Sequence, residues 1–411
     1  MDEGFELKDI SPYDLLLAES ESERINLESE SIDDEIQETT RRVGLYDELE
    51  STVDREGDVT EHELALISQA TAALFGDIGK GGMPSLESAQ GTISMEAFRD
   101  LANGMKGASR DLVIRLWRLI KEFWENMGTR VSGVKAGAEA TRERTKDIIG
   151  IQPKESKFDA GISATRYLHF KGNKTDKFAK IHDSLRELEH VVDSLLSTWG
   201  IDVVKAGNEV MAILSKTLKS VDPDDSQEIE NSLQNANDVT VQLLETVHPN
   251  LRKEVYLPAN GTLSFNYNNP KEVQSQVNKA RALQRSGFTF EPGTVDTEGS
   301  IDVDVFTVDQ IRELMDISLR ICESIRRFRE RNKMDRLAEN TLSVVRSAKV
   351  MSGNLEGDVS ESRPGIARTA LYNYGNSYAS WTRQPTLPVI SLTINYLRIV
   401  QSICNRSINA Y

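Results

Sequence analysis

The stretch from Ser109 to Met127 constrains this chain more than any other, because its apolar residues fall on one face of a helix. Leu112, Val113, Leu116, Trp117, Ile120, Phe123, Trp124 and Met127 recur at three- and four-residue steps. Arg110, Arg115, Arg118, Lys121, Glu122 and Glu125 take the opposite side. Burying such a stripe stabilises the fold by about 1.5–3 kcal/mol per large side chain. The spacing therefore predicts an anchor helix whose face is Leu116, Trp117, Ile120, Phe123 and Trp124. Core packing is the ordinary use of such a face. Tryptophans flanked by basic residues also suit a membrane interface or a partner protein.

Charge divides the chain just before this helix. Residues 1–96 carry 25 acidic and 6 basic side chains, a net of −19, while residues 97–411 carry 40 acidic and 43 basic, a net of +3. The whole is −16. A segment at −19 is repelled by nucleic acid, whereas a body at +3 is tolerated near it without gripping it. The acidic part reads as a solvated, partly disordered segment, although Ile25, Leu27, Ile32 and Ile36 follow one another at irregular helical spacing.

Periodicity predicts a mostly α, multi-helix body with a small β insertion. Helices are expected over 176–199, 202–220, 224–247, 271–284, 308–331, 334–351 and 387–408, from apolar residues at helical steps. Residues 131–150, rich in Gly and Ala, read as a close-packing or weak helix. Residues 151–175 read as a connection, and 353–364 and 372–386 as loops or helix ends. Between 254 and 267 the period changes, and Asn260-Gly261 marks a hairpin. Residues 287–291 and 303–308 read as further strands. The expected organisation is an acidic propeptide-like segment at 1–96, the anchor-helix region at 97–150 and a helical domain at 151–253. A β-containing insertion at 254–308 and a helical region at 309–411 complete it.

Residues that carry chemistry are scarce. The five histidines form no His-Glu-x-x-His motif, and His182 and His190 lack further ligands nearby in sequence. Cys322 and Cys404 are the only cysteines, without metal-ligand spacing, which fits a reducing compartment of synthesis. Gly76–Pro84 lacks the Lys-Ser/Thr ending of a phosphate-binding loop. No Gly-x-Ser-x-Gly elbow is present. We therefore expect no enzyme, catalytic residue, metal, cofactor or small-molecule substrate, although an active site assembled only by the fold leaves no such trace. The sequence has no basic leader ahead of an apolar run and no stretch of about eighteen apolar residues. One basic cluster stands out: Arg320, Arg326, Arg327, Arg329 and Arg331, with Lys333, concentrate on one helix. They are candidates for sequence-independent contact with a DNA backbone, or else one side of an exposed mixed-charge helix.

An acidic leader, a Ser-x-Glu site and a helical body together resemble the internal head proteins of large, giant-genome tailed bacteriophages. The resemblance rests on Gly91-Thr92-Ile93-Ser94-Met95-Glu96 and on the Leu-Trp-x-x-Ile-x-x-Phe-Trp run at 116–124. Ser94-Met95-Glu96 matches the Ser/Ala-x-Glu pattern after which the prohead protease of such phages cuts, so the expected site is Ser94, Met95, Glu96 and Ala97. Ser85-Leu86-Glu87 and Ser226-Gln227-Glu228 match the same pattern, but only Glu96 and Glu87 lie near the change of charge. The resemblance implies a virion structural protein of the capsid interior. It would be synthesised as a precursor in the host bacterial cytoplasm, packaged with DNA and injected with it. The implied partners are the prohead protease, other phage head proteins and, non-specifically, phage DNA. The rival expectation is a host-directed or structural interaction protein that uses the 109–127 helix on a membrane or partner.

Overall fold

The computed structural model describes residues 95–411, apart from 221–225, 272, 294–298 and 354–362, together with residues 24, 25, 28, 31 and 32. The spine is α1, Met95–Arg144, which extends well beyond the predicted amphipathic run. Its Gly- and Ala-rich second half continues the helix because small residues there admit neighbours. A Cβ on Gly128 would lie 2.0 Å from Arg329 Nη1, and one on Gly137 would lie 1.9 Å from Gln401 Nε2. Tertiary packing outweighs the roughly 1 kcal/mol per glycine that isolated propensity costs.

Two long helices pack along α1, namely α7 (Val308–Arg331) and α10 (Thr386–Asn409), and α3 (Phe178–Ser194) packs against α7 and, more lightly, against α10. The helix α7 begins at a capping box, in which Gln310 N–H donates to Thr307 Oγ1 at 3.3 Å and Thr307 N–H donates to Gln310 Oε1 at 2.9 Å. Its buried stripe includes Ile311, Leu314, Ile321, Ile325 and Phe328. It runs antiparallel to α1: Arg142 pairs with Asp316 at 3.1 Å at one end, and Trp124 packs on Phe328 at the other. Polar contacts in parallel register tie α1 to α10. Buried Arg130 donates to Asn395 Oδ1 at 2.6 Å, and Arg144 donates to Asn405 and Asn409 at 2.6 and 2.8 Å.

The helix α3 does not end at Ser194. It passes through a single π-helical turn, Leu195–Trp199, straight into α4 (Gly200–Ser220) and so crosses into a second group of helices. There α4 packs with α5 (Ser226–Glu245), α8 (Met334–Gly353) and α9 (Arg363–Arg383), and a shorter α6 (Gln276–Gln284) fills the side. A buried Asn237 organises this group. Its Nδ2 donates to the main-chain O and to Oε1 of Gln276, both at 2.9 Å, and its Oδ1 accepts from the Tyr374 hydroxyl. Residues 372–386, expected as a loop or helix end, are helical through Arg383. The reason is spacing: Tyr374, Tyr378 and Trp381 share one face and are buried, so tertiary contact fixes what local propensity leaves open. The short α2 (Ile162–Thr165) lies in the 151–175 connection.

The strands are short. The expected hairpin forms from β4 (Val255–Tyr256) and β5 (Thr262–Asn266), with Val255 opposite Leu263. Its connection is a 3₁₀ turn over Pro258–Asn260, longer than a two-residue turn, with Ala259 and Asn260 at positive φ. The strand β6 (Gly287–Glu291) adds to β5. This sheet delivers Phe265 and Phe288 onto Trp199, at ring separations of 6.3 and 5.1 Å. Trp381 closes the cluster, donating from Nε1 to Ser286 O at 2.7 Å. The expected strand at 303–308 is β7, Asp302–Asp304, and it leaves the insertion to pair with β1 (Lys157–Asp159). The two-residue strands β2 (His169–Phe170) and β3 (Asn173–Lys174) form a tight hairpin. Buried residues from helices α1 to α10 and from β4, β5, β6 and β7 join one hydrophobic core.

Candidate interaction surfaces

The anchor residues lie inside the protein. Leu116, Trp117, Ile120, Phe123 and Trp124 are all buried, with the two indoles 3% and 6% exposed. Trp124 meets Phe123 edge-on at 5.6 Å and Phe328 of α7 at 5.1 Å. Among the described residues, neither indole N–H has a hydrogen-bond partner. Residues 373–409 of α9 and α10 also contain an 18-residue window with the length and mean hydropathy of a membrane span, and 67% of that window is buried.

The basic helix is less basic in space than in sequence. Arg320 grips Glu189 of α3 with Nε at 2.6 Å and Nη2 at 3.4 Å, and Arg186 shares that carboxylate at 3.0 Å. Burial pushes the Glu189 carboxyl up, but its bonds to Arg320 and Arg186 outweigh burial and hold it below the usual range. Glu323 accepts from Arg326 at 2.7 Å and from Arg327 at 3.0 Å, and Arg326 reaches Glu330 at 2.5 Å. The Arg326 guanidinium, followed by Arg327, pulls the Glu323 carboxyl down to about 2. Arg329 is exposed with its guanidinium over Gly128 of α1, and Arg331 is exposed at the helix end. The structure thus brings Arg326 and Arg327 together around Glu323, and it turns Arg320 away toward α3. Between α1, α3 and α7 lies a groove of about 650 Å³, lined by Lys135, Glu139, Arg186, Glu189, Arg320 and Glu323 among others. Acids and bases alternate along it, and it offers no continuous apolar wall.

The expected cleavage site straddles the start of α1. Met95, Glu96 and Ala97 lie in the first turn of that helix, whereas Ser94 and the alternative at Glu87 lie outside the described residues. Most of the acidic segment lies outside them too. The described part is more informative than its composition. Ile25 and Ile32 are 0% and 1% exposed and belong to the core. Between them Glu28 accepts from Arg115 of α1, with Nε at 3.1 Å, and Arg24 donates to Glu122 at 2.6 Å. Arg115 is the leading cause of a lowered Glu28 carboxyl. Sequence reasoning left this contact out, although the seven-residue step from Ile25 to Ile32 is its trace.

No three His, Cys, Asp or Glu side chains converge on a metal-sized site among the described residues. His182 lies 3.0 Å from Glu313 and His190 lines the groove, so the two do not form a pair. Burial pushes the Cys322 thiol up to about 12, and it raises Cys404 as well.

Long helices packed through one core, with ion-paired faces outside, make this a mostly α-helical protein. The family model for phiKZ-like phage internal head proteins matches residues 18–406, and the chain belongs to that family. The family is a structural one of the head, and its members associate with other head components inside the capsid. No curated protein and no solved structure matches the chain.

Proposed function

We propose that this chain is a non-enzymatic component of the phage head interior, made in the host bacterial cytoplasm as a precursor and cut after Glu96 by a prohead protease. The observation that carries the proposal is the charge step, −19 before Ala97 and +3 after it, in a chain of this family. A head filling with DNA concentrates phosphate, and a −19 segment left in place competes with that phosphate for counterions. During assembly the same segment keeps the body soluble and gives basic partners a target. Removing it leaves a body that DNA does not repel. Support also comes from the position of Glu96 in the first turn of α1, where helix ends fray and a protease gains an extended strand.

In this reading the partners are the prohead protease, other head proteins and DNA, whose backbone is met weakly by Arg320, Arg326, Arg327, Arg329 and Arg331. Three of those arginines already hold carboxylates, so the contact is a loose one. Passage into the host with the genome follows the same logic. The rival use of the 109–127 helix, on a membrane or partner, has against it that its tryptophans are already buried.

Mass spectrometry of the protein from purified virions tests the proposal. The expected N-terminus is Ala97, and Glu96→Gln should leave the full-length chain in the particle. Virion protein that begins at Met1 or Asp2, with peptides of 1–96 at equal abundance, overturns it.

A further inference from the structure

We propose that Arg24, Ile25, Glu28 and Ile32 form a clasp on α1 that outlasts the cut, so that cleavage and release of the acidic segment are separate events. The inference rests on the reading above in one respect only, namely that a cut occurs near Glu96. The contact itself is built from both sides. On the segment, Ile25, Glu28 and Ile32 follow at steps of three and four, which places them on one helical face. On α1, Arg115, Leu119 and Glu122 follow at steps of four and three and form the facing stripe.

The order of the two ion pairs fixes the direction. Arg24 meets Glu122, and four residues later Glu28 meets Arg115, seven residues back along α1, so the segment runs antiparallel to the helix. Ile25 and Ile32 are as buried as the deepest core residues, and Leu119, in the middle of the facing stripe, is 4% exposed. None of these contacts depends on the peptide bond after Glu96, which is 64 residues beyond Ile32 in the chain.

The functional consequence is that proteolysis alone does not change the charge of the particle's interior. The segment, at −19, stays with its body at +3 until the clasp opens. The surface so covered takes one kind of occupant: an amphipathic helix with two apolar residues seven apart and an acidic residue between them. Such a helix from an assembling neighbour would displace the segment by mass action.

An installed cut tests the clasp without depending on the natural one. A site for a specific protease is placed after Glu96 in the full-length chain. The cut protein is then followed by gel filtration and native mass spectrometry at physiological salt. The two pieces should co-elute as a one-to-one complex. Ile25→Asp with Ile32→Asp should weaken that complex at least tenfold. Glu28→Arg and Arg115→Glu should each weaken it, and the two together should hold better than either alone. Complete separation of the unsubstituted pieces on cutting overturns the clasp, as does an exchanged pair that binds no better than the single variants. Either result leaves the virion N-terminus, and with it the cleavage reading, as a separate question.

Discussion

Trp124 offers a measurement in which two substitutions at one position should diverge sharply. Its indole is 6% exposed and lies against Phe123 and Phe328, yet its N–H has no hydrogen-bond partner among the described residues. Trp124→Ala removes the ring and opens a cavity at the α1–α7 contact, which should cost about 3–5 kcal/mol. Trp124→Phe keeps a ring against Phe328 and removes roughly 40 Å³, a cavity cost of about 1 kcal/mol. The apolar area it gives up costs about 1 kcal/mol more. Against these losses, it removes a buried donor whose unmade hydrogen bond costs about 1–3 kcal/mol. The terms nearly cancel, so Trp124→Phe should fall within about 1 kcal/mol of the parent. Urea unfolding followed by far-ultraviolet circular dichroism gives both differences from the shift in midpoint, provided the slope is unchanged. If the phenylalanine variant loses more than half of what the alanine variant loses, the indole N–H is satisfied and the reasoning fails.

Three further outcomes can be checked independently. Glu323, held down to about 2 by Arg326 and Arg327, keeps its charge as pH falls below 4.5. Its contribution to stability is thus present above 4.5 and is lost only as pH falls through about 2. Carboxyl-resolved NMR titration should find it among the last to protonate, and Arg326→Ala should raise its midpoint. Gly200→Ala should destabilise by about 1–3 kcal/mol despite a helix-propensity gain of about 1 kcal/mol. The new Cβ would lie 2.6 Å from Phe328 Cε2 and 3.1 Å from Leu195 O, and a thermal scan that shows stabilisation refutes the steric argument. The body after residue 96 should bind DNA weakly, without sequence preference and with a steep salt dependence. Salt-insensitive binding in a filter or anisotropy assay, or binding unaltered by Arg326→Ala with Arg327→Ala and Arg329→Ala, would count against the arginine face.

Helices whose own sequences carry a clear apolar period were legible in advance. The expected span 308–331 coincides with α7, and the hairpin at 254–267 and the strand at 287–291 appear where the turn and β-branched signals put them. Elements defined by long-range partners were not. The second half of α1 looks weak until Arg329 and Gln401 are seen lying over its glycines. The strand β7 has no partner in its own neighbourhood and finds one at 157–159. The candidate surfaces divide the same way. A cluster of arginines is visible in a sequence, but the carboxylate on α3 that neutralises one of them is not. An acidic segment reads as solvated because its charges outnumber its isoleucines, yet Ile25 and Ile32 are buried, and α1 supplies Glu122 to Arg24 and Arg115 to Glu28.

The two cysteines bear on how such a protein ages. A thiol is attacked in proportion to its thiolate fraction and its exposure. Burial raises both the Cys322 and Cys404 thiols, so little thiolate forms at neutral pH, and both residues are fully buried. Phage particles pass from a reducing cell into air and wait there for the next host. While folded, chains whose two thiols are both buried resist being stitched to one another by disulfides. The folded chains therefore stay chemically separable from one another for as long as the fold persists.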